Sequence, residues 1–397
     1  MSADPLRERA DSLAPTLVGW RRELHRHPEL SCEEHRTAAF VAERLRELGL
    51  EVRTAVAGTG VVGLLRAAAA TRRGPAVLLR ADMDALPIQE VAGREYGSSV
   101  PGRMHACGHD GHMAMLLGAA GLLAERRAEL ERDVVLCFQP AEEAGGGAQR
   151  MLEAGVLELV ETGPAYALHL WSAYPAGTFH VRPGPTMAAQ DEFRARVVGV
   201  GGHGAFPHTA VDPIVAAAQA VTLLQGVVAR SIDPIAAAVV TVGAFHAGTA
   251  ANVIPGAADI AGTLRSFTPE VRQRLRERVR EVLEGVARAA GCRLEYELLA
   301  GYPAVVNDER ATSLLREVAT GVFGAAHVHE PPPMAGAEDF AYFLERRPGA
   351  FAFLGAGNVA RGITAPHHSP EFDIDESVLP RGAELLTRLA LRADHPC

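Results

Sequence analysis

The chain has 397 residues, of which 48% are hydrophobic and 22% charged, and its formal net charge is −9. This composition is typical of a soluble globular protein with about two domains. The acidic balance argues against nucleic acid or an anionic membrane as the main partner. All 39 basic residues are arginine, which excludes mechanisms that need a lysine, such as Schiff-base chemistry.

Cysteine usage and apolar runs indicate the compartment. The five cysteines are odd in number and widely scattered, which predicts reduced thiols rather than a disulfide framework. The first twenty residues show no signal-peptide core, and the longest apolar run, Met113 to Ala124, is too short to span a bilayer. We therefore expect a cytoplasmic protein with neither a membrane nor a nucleic acid as its partner.

The first part of the chain alternates helices and strands. Helical periodicity predicts helices over Arg7 to Arg26 and Glu33 to Leu48, with Gly49 capping the second. A further helix is predicted to begin at His109–His112. Apolar runs predict buried strands, which are Val61–Leu65, Ala76–Ala81, Val134–Phe138, Tyr166–Leu170 and Thr178–Val181. This alternation indicates an α/β domain with a mostly parallel sheet and helices on both faces.

The pattern changes near Pro183–Ala189 to a β-α-β-β-α-β order, which is typical of a ferredoxin-like α+β domain. Its predicted elements are Glu192–Val200, Asp212–Val228, Ala236–Phe245, Ala258–Ser266, Pro269–Ala290 and Arg293–Leu299. Alternation then resumes with Asp308–Phe323, Glu338–Arg346, Ala350–Leu354 and a final helix from Glu376. We predict one domain of residues 1–185 and 300–397, with a second domain of residues 186–299 inserted into it.

The stretch His105–His112 holds a thiol, three imidazoles and a carboxylate within eight positions. Thiolates and imidazoles are ligands for divalent transition metals. Cys107 and His109 point the same way if the chain is extended, so both can reach one ion. Taken alone, a Cys-x-His pair could also arise by chance among 16 histidines, because a catalytic metal site needs distant ligands too.

Other polar residues follow the predicted strands, at the edge where α/β sheets bind ligands. They are Asp82, Asp84, Glu142, Glu143 and His169, with His367 and His368 late in the chain. Each alone has a structural interpretation, such as a helix cap, a solvated surface carboxylate, a core histidine or a loop residue. Their joint placement at one edge favours a functional site.

Two adjacent glutamates can have different roles in a hydrolytic site. In extended backbone Glu142 and Glu143 would point to opposite sides, so that one binds a metal and the other faces the substrate. Because a metal lowers the pKa of its bound water to about 7, a nearby carboxylate can take that proton near neutral pH. The pattern predicts metal-assisted hydrolysis of a carbonyl–nitrogen bond.

In this order, the motifs resemble those of the metal-dependent amidohydrolases related to aminoacylase and carboxypeptidase G. The resemblance is to the branch that contains hippurate hydrolase and the auxin–amino acid conjugate hydrolases, and it covers nearly the whole chain. The matching segments are 25–30, 80–87, 104–110, 138–143, 201–204, 262–267, 336–340 and 368–370.

The resemblance implies one or two divalent ions, zinc or manganese, with cobalt or nickel as alternatives. The implied metal ligands are Cys107, His109, Glu143, His169 and His368. It further implies that Glu142 is the general base and that Asp84 orients a ligand. His367 departs from the family, whose members usually carry an apolar residue there, so that either neighbouring imidazole could be the ligand.

The inserted domain resembles the lid and dimerisation domain of the family. Within it, His203 matches a histidine that stabilises the developing oxyanion. Asn252 and Arg265 match residues that contact polar groups of the substrate, and arginine is suited to a free carboxylate. The resemblance therefore implies a homodimer or higher homo-oligomer that acts on a small molecule.

The predicted function is metal-dependent hydrolysis of the amide bond of N-acyl-L-amino acids, of hippurate or N-acetyl type. The alternative is a small dipeptidase or carboxypeptidase that uses the same site. A third hypothesis makes Cys107 a nucleophile with His109 or His112 as its base. A fourth is a metal- or ligand-binding protein without activity.

Overall fold

The computed structural model describes residues 4–69 and 71–392. They form two compact units. The first unit contains the residues up to Gly184, Val306–Pro332 and those from Asp339 onward, and the second contains Pro185–Val305 and Pro333–Glu338. The second unit thus includes the predicted insertion of residues 186–299, and it also takes in residues 185, 300–305 and 333–338, which the sequence patterns assigned to the first.

The first unit opens with helices that precede an eight-stranded sheet. The elements up to this point are α1 (Pro5–Ser12), α2 (Ala14–Arg26), α3 (His35–Glu47), β1 (Glu51–Val56), β2 (Gly60–Leu65), β3 (Ala76–Asp82), α4 (His109–Glu125), β4 (Val134–Gln139), α5 (Gly147–Glu153), β5 (Thr162–Pro175) and β6 (Phe179–His180). The single helix predicted over Arg7–Arg26 is two helices. Pro15 lies in the first turn of α2, where its missing N–H costs nothing, and there it starts a new helix.

The second unit carries the predicted β-α-β-β-α-β order. Its elements are β7 (Gly184–Met187), β8 (Ala189–Val198), β9 (Gly202–His203), α6 (Pro213–Ser231), β10 (Ala238–Ala247), β11 (Val253–Ile254), β12 (Ala257–Ser266), α7 (Pro269–Ala289) and β13 (Arg293–Ala300). The main sheet has the order β10-β12-β8-β13 with every neighbouring pair antiparallel. Buried side chains of both helices and the sheet form one apolar core, which confirms the ferredoxin-like prediction.

Helix α6 is long and apolar enough to cross a membrane by length and composition, although only 28% of its apolar window is buried. It is longer than the run Met113–Ala124, on which the expectation of no membrane partner rested. In this unit Ala216, Ala220 and Leu224 are buried and belong to the core. The helix thus serves the core of an α+β unit, as apolar helices of globular proteins do.

The chain then completes the first unit. The remaining elements are β14 (Val305–Asn307), α8 (Glu309–Phe323), β15 (Val328–His329), α9 (Ala341–Leu344), β16 (Gly349–Gly357) and α10 (Leu379–Leu391). The helix predicted over Glu338–Arg346 is only the short α9. Asp339, just before it, accepts hydrogen bonds from Arg80 and Gln139 and from the backbone N–H of Ala148, which tie this segment to the sheet.

The large sheet has the order β1-β2-β4-β3-β5-β16-β6-β15, and its central strands β4, β3, β5 and β16 run parallel. Strands β3, β4 and β16 are buried along their whole length, so both faces of the sheet are covered. This confirms the predicted α/β class. The carboxyl ends of the parallel strands meet at one edge, and the predicted chemistry follows those ends.

Candidate metal centre

The loop before α4 positions the first two candidate ligands. Gly108 adopts a left-handed φ of 89° and lets the chain turn sharply into the helix, which begins at His109. Cys107, His109 and His169 on β5 are all buried, and each offers a ligand atom within 4.8 Å of the others. The sulfur of Cys107 lies 3.5 Å from Nε2 of His169.

Two further groups extend this one. Cys107, Glu143 and His368 place ligand atoms within 4.8 Å of one another, and so do His109, Glu142 and Glu143. Nε2 of His368 is 3.2 Å from Oε1 of Glu143, without hydrogen-bonding geometry. The structure therefore brings together all five residues that the resemblance implies as metal ligands, and it places Glu142 beside them.

Backbone carbonyls fix the tautomers of two of these histidines. Nδ1 of His109 donates to the carbonyl oxygen of Asp84 at 2.8 Å, and Nδ1 of His169 donates to the carbonyl oxygen of Leu170 at 2.7 Å. Because Nδ1 carries the hydrogen in each ring, Nε2 presents its lone pair to the site. Both imidazoles are thus oriented as metal ligands.

The neighbouring histidines are arranged differently. His112 donates from Nδ1 to Asp82 at 2.6 Å and accepts the backbone N–H of Leu170 on Nε2 at 2.8 Å, so neither nitrogen is left for a metal or for catalysis. Burial lowers the pKa of His105 to about 4 and keeps it neutral. His112 therefore cannot be the base for a Cys107 nucleophile. Burial raises the pKa of the Cys107 thiol, and the nearby carboxylates of Glu143 and Glu142 raise it further.

The donor set fits a divalent metal ion. Nε2 of His109 and Oε1 of Glu143 are buried, and neither atom forms a hydrogen bond with the residues in 4–69 and 71–392. Burial would lower the pKa of His109, but the carboxylates of Asp82 and Asp84 raise it to about 10, so a cation that binds here would displace a proton from Nε2. A site that holds nitrogen and oxygen atoms without hydrogen bonds, a thiol and excess negative charge is suited to a divalent cation.

Two buried carboxylates hold the Glu142–Glu143 turn. Asp84 accepts the backbone N–H groups of Glu142 at 3.1 Å and Glu143 at 3.0 Å, and Glu34 accepts that of Ala141 at 2.8 Å. Ala141 has a left-handed φ of 54°, and a side chain at Gly147 would collide with the carbonyl of Pro140, so the segment is a tight turn. The expectation of an extended segment with opposed side chains is therefore wrong, and both carboxylates approach His109.

Asp84 and Glu34 are themselves well bound. Ser31 Oγ donates to Asp84 at 2.6 Å; burial alone would raise the pKa of Asp84, but the bonds from His109 and Ser31 lower it. Glu34 also accepts from the Thr59 hydroxyl and the Cys32 N–H, and burial raises its pKa. Sequence reasoning missed Glu34 because Ser31-x-x-Glu34 before a helix has the form of an ordinary capping box.

A buried charged cluster lies behind the first turn of α4. Arg21 on α2 donates to Asp110 at 2.8 Å, to Asp373 at 3.0 Å and to Glu376 at 3.2 Å. Nδ1 of His25 bonds the same carboxylate oxygen of Asp110 at 2.7 Å. Burial would raise the pKa of Asp110, but Arg21 and His25 hold it far below its usual range. The cluster anchors the residue that follows His109.

Three predicted residues, His203, Asn252 and Arg265, lie in the second unit. Nδ1 of His203 accepts the N–H of Ala205 at 3.1 Å, so Nε2 carries the hydrogen and the exposed ring can donate it. Asn252 is exposed beside it, where its carbonyl accepts from Gly204. Arg265 on β12 donates to Gln190 at 2.8 Å and forms no ion pair with the described residues, and burial lowers its pKa.

Comparison with known proteins extends these observations. The model of peptidase family M20/M25/M40 matches residues 78–392. The chain is 42% identical to IAA-amino acid hydrolase ILR1-like 4 of Arabidopsis thaliana, over 95% of this chain and 85% of that protein. It is 41% identical to thermostable carboxypeptidase 2 of Saccharolobus solfataricus, over 95% of each chain. It is also 41% identical to N-acetyl-L-cysteine deacetylase of Bacillus subtilis, over 96% of this chain and 89% of that protein.

A solved structure agrees with the sequence matches. The YXEP protein of Bacillus subtilis, described as a dinuclear metal binding peptidase from the M20 family, superposes with a TM-score of 0.83 at 36% identity. The match covers 96% of this chain and 98% of that one. It supports the use of divalent metal by the donor set described above and confirms the resemblance that the motifs indicated. The chain therefore belongs to peptidase family M20/M25/M40, and it is an amidohydrolase.

Proposed function

We propose that this protein hydrolyses the amide bond of N-acyl-L-amino acids in a metal-dependent reaction. One observation carries the proposal. Five donor side chains from four segments of the chain converge beside Glu142, and two of their buried ligand atoms form no hydrogen bond with the described residues. The names of the amino acid conjugate hydrolase and deacetylase relatives support this substrate class.

In this proposal Cys107, His109, Glu143, His169 and His368 hold one or two divalent ions, with zinc or manganese favoured over cobalt or nickel. A divalent ion at such a site polarises a carbonyl oxygen and lowers the pKa of a coordinated water to about 7. The protein supplies the positioning, because the carbonyls of Asp84 and Leu170 orient the two imidazoles.

Glu142 is the proposed general base. Its side chain is buried, its backbone N–H is held by Asp84, and its carboxylate lies within 4.8 Å of donor atoms of His109 and Glu143. From there it can take a proton from the attacking water and return it to the leaving nitrogen. Asp84 acts through the turn that it holds and is a positioning residue.

The proposed roles in the second unit rest on the local chemistry of each side chain. His203 has its hydrogen on Nε2, which is the form needed to donate to a developing oxyanion. Arg265 forms no ion pair with a described residue, so its guanidinium can bind the carboxylate of the amino acid. Asn252 would contact another polar group of the substrate. The lid role of this unit stays a prediction.

We extend the proposal to a homodimer or higher homo-oligomer formed through the second unit, located in the cytoplasm. Strand β10 is an edge of its sheet, and Val239 on it is 40% exposed. Val215 and Leu223 on α6 are each 55% exposed, which is a large apolar area for a solvated helix. Sedimentation of wild type and of Leu223→Arg tests this, and an unchanged monomer in both would exclude it.

The function is tested by turnover of a panel of N-acetyl, N-benzoyl and dipeptide substrates after chelation and after return of each metal. We expect activity to vanish with the chelator and to return with zinc or manganese, highest for an acylated amino acid that has a free carboxylate. Activity that survives complete metal removal but is lost on thiol alkylation would instead support a Cys107 nucleophile.

A carboxypeptidase or small dipeptidase is the second candidate, because a thermostable carboxypeptidase shares 41% identity over 95% of both chains. The same residues would perform the reaction, and only the group on the acyl side would differ. Higher kcat/KM for dipeptides than for N-acetyl or N-benzoyl amino acids would favour it.

A further inference from the structure

We propose that His367 donates a hydrogen bond from Nδ1 to the sulfur of Cys107 and so tunes this thiolate as a metal ligand, without binding metal itself. The inference rests on the proposed metal-dependent function, and it concerns a residue that the motifs left ambiguous. It assigns different tasks to the two neighbouring imidazoles of His367 and His368.

The tautomer of His367 follows from a backbone contact. Nε2 accepts the N–H of Ser172 at 3.2 Å, which uses the lone pair of that nitrogen. A neutral imidazole has one lone-pair nitrogen and one N–H, so the hydrogen is on Nδ1. Nδ1 lies 3.6 Å from the sulfur of Cys107. The ring therefore presents an N–H to the sulfur and has no lone pair left for an ion.

Packing holds the ring in this orientation. His367 stacks on Trp171, with ring centroids 4.3 Å apart and the planes tilted by 23°. The ring of Phe372 lies against it, with centroids 4.7 Å apart. The ring of His368 packs against no aromatic ring of the described residues, and its side chain is 52% exposed and lies by Glu143. An ordered ring is what a directional hydrogen bond to sulfur requires.

The consequence is electronic. A thiolate that coordinates a metal is deprotonated, and an N–H aimed at its lone pairs withdraws electron density from the sulfur. The sulfur then donates less charge to the ion, which remains a stronger Lewis acid. Cys107 is the softest donor in the set, so its donor strength has a large influence on the ion.

The test loads the full-length protein with Co²⁺ alone and records the thiolate-to-cobalt charge-transfer band in the near ultraviolet. We compare wild type with His367→Phe, which keeps a stacked ring but has no N–H. The band should move to longer wavelength in the variant, because losing the hydrogen bond raises the energy of the sulfur lone pairs. Cobalt stoichiometry should not change. His367→Leu serves the same purpose if the phenylalanine variant does not fold.

Two variants are the controls. His367→Gln can accept from Ser172 and donate to Cys107, so its band should return towards that of wild type. Phe372→Leu removes one of the two ring contacts but keeps the Nδ1–H, the stack on Trp171 and the bond from Ser172, so its band should move less than that of His367→Phe. An unmoved band in His367→Phe would overturn the inference, and so would loss of a cobalt equivalent, which would make His367 a ligand. Absence of the band from wild type would instead contradict Cys107 as a ligand, and with it the metal site proposed above.

Discussion

His109 and Asp110 are neighbours on the first turn of α4, yet their surroundings differ in kind. Nε2 of His109 is buried and forms no hydrogen bond with the described residues, whereas Asp110 accepts from Arg21 at 2.8 Å and from His25 at 2.7 Å. Native proteins leave few buried polar atoms unpaired, and those few often mark function. The first turn of α4 thus places a side chain with an unused hydrogen-bonding atom next to a side chain that is fully paired.

The comparison teaches that the two sides of this turn do different work. A buried polar group without a hydrogen bond lowers the free energy of unfolding by about 1–3 kcal/mol. On the side of the turn that faces the proposed metal site, binding of an ion would offset this loss. On the side of the turn that faces Arg21, the charged groups pair with one another, and these ion pairs hold the first turn of α4 in place. Substitutions on the site side should mainly change turnover, and those on the paired side should mainly change stability.

The largest effect is expected from Glu142→Ala. Removing the proposed base should lower kcat by about 10²- to 10⁴-fold, because no other group would be placed to move the proton. Metal content by elemental analysis and the unfolding midpoint should stay at wild-type values. Glu153→Ala on the exposed surface of α5 is the matched control. Wild-type turnover in the Glu142 variant would end its assignment as the base.

On the paired side, Arg21→Met should lower the free energy of unfolding by about 3–5 kcal/mol. It leaves Asp110 buried with its main counter-charge gone, and an unpaired buried charge is costly. Arg22→Met is the control, since Arg22 pairs with Glu376 at a partly exposed position and should cost about 1 kcal/mol or less. Urea denaturation measures both, and equal losses would contradict the comparison.

An intermediate effect is expected from Glu34, which supports the site without belonging to the donor set. Glu34→Ala leaves the N–H of Ala141 without its acceptor, and a loss of about 1–3 kcal/mol in the turn should lower kcat roughly tenfold. Glu34→Gln keeps an accepting oxygen and should retain most of the activity. Glu33→Ala, at an exposed neighbour, should have no effect. A glutamine variant as poor as the alanine variant would argue against this role.

The smallest effect is a pH dependence of stability. The pKa of Asp110 is depressed in the folded protein, so the native state keeps this carboxylate charged while the unfolded chain takes up a proton near its usual pKa of 3.8. Stability from this group is therefore present above pH 4 and is lost as the pH falls, by about 1 kcal/mol between pH 5 and pH 3. The difference in unfolding free energy between wild type and Asp110→Asn should narrow by that amount. A constant difference would contradict the assigned pairing.

Much of the fold could be predicted because its signals are local. The apolar runs that became β3, β4 and β5 are continuous, and they determine where Asp82, Glu142 and His169 emerge. Strand β1 could not be predicted, since most of its residues are exposed and it lacks an apolar run. The break between α1 and α2 had its signal in Pro15, which helical periodicity alone overlooks.

The residues that form the site could be predicted from the sequence, but much of their arrangement could not. Residue types and order indicated the donor set, but the tautomers of His109 and His169 depend on carbonyls that only the folded chain brings near. The pairing of Arg21 with Asp110 joins positions 89 residues apart, and no periodic pattern encodes it. The left-handed Ala141 was also hidden, because alanine gives no sequence signal for that conformation.

Ala141 and His368 both have left-handed backbone, with φ of 54° and 63°. Ala141 precedes the proposed base Glu142, and His368 is one of the proposed metal ligands. This conformation excludes β-branched side chains whatever their chemistry. In a saturation library, position 141 should accept glycine and asparagine and reject valine, isoleucine and threonine. Backbone conformation therefore restricts which amino acids this enzyme can carry at a position, such as 141, whose side chain takes no part in the chemistry.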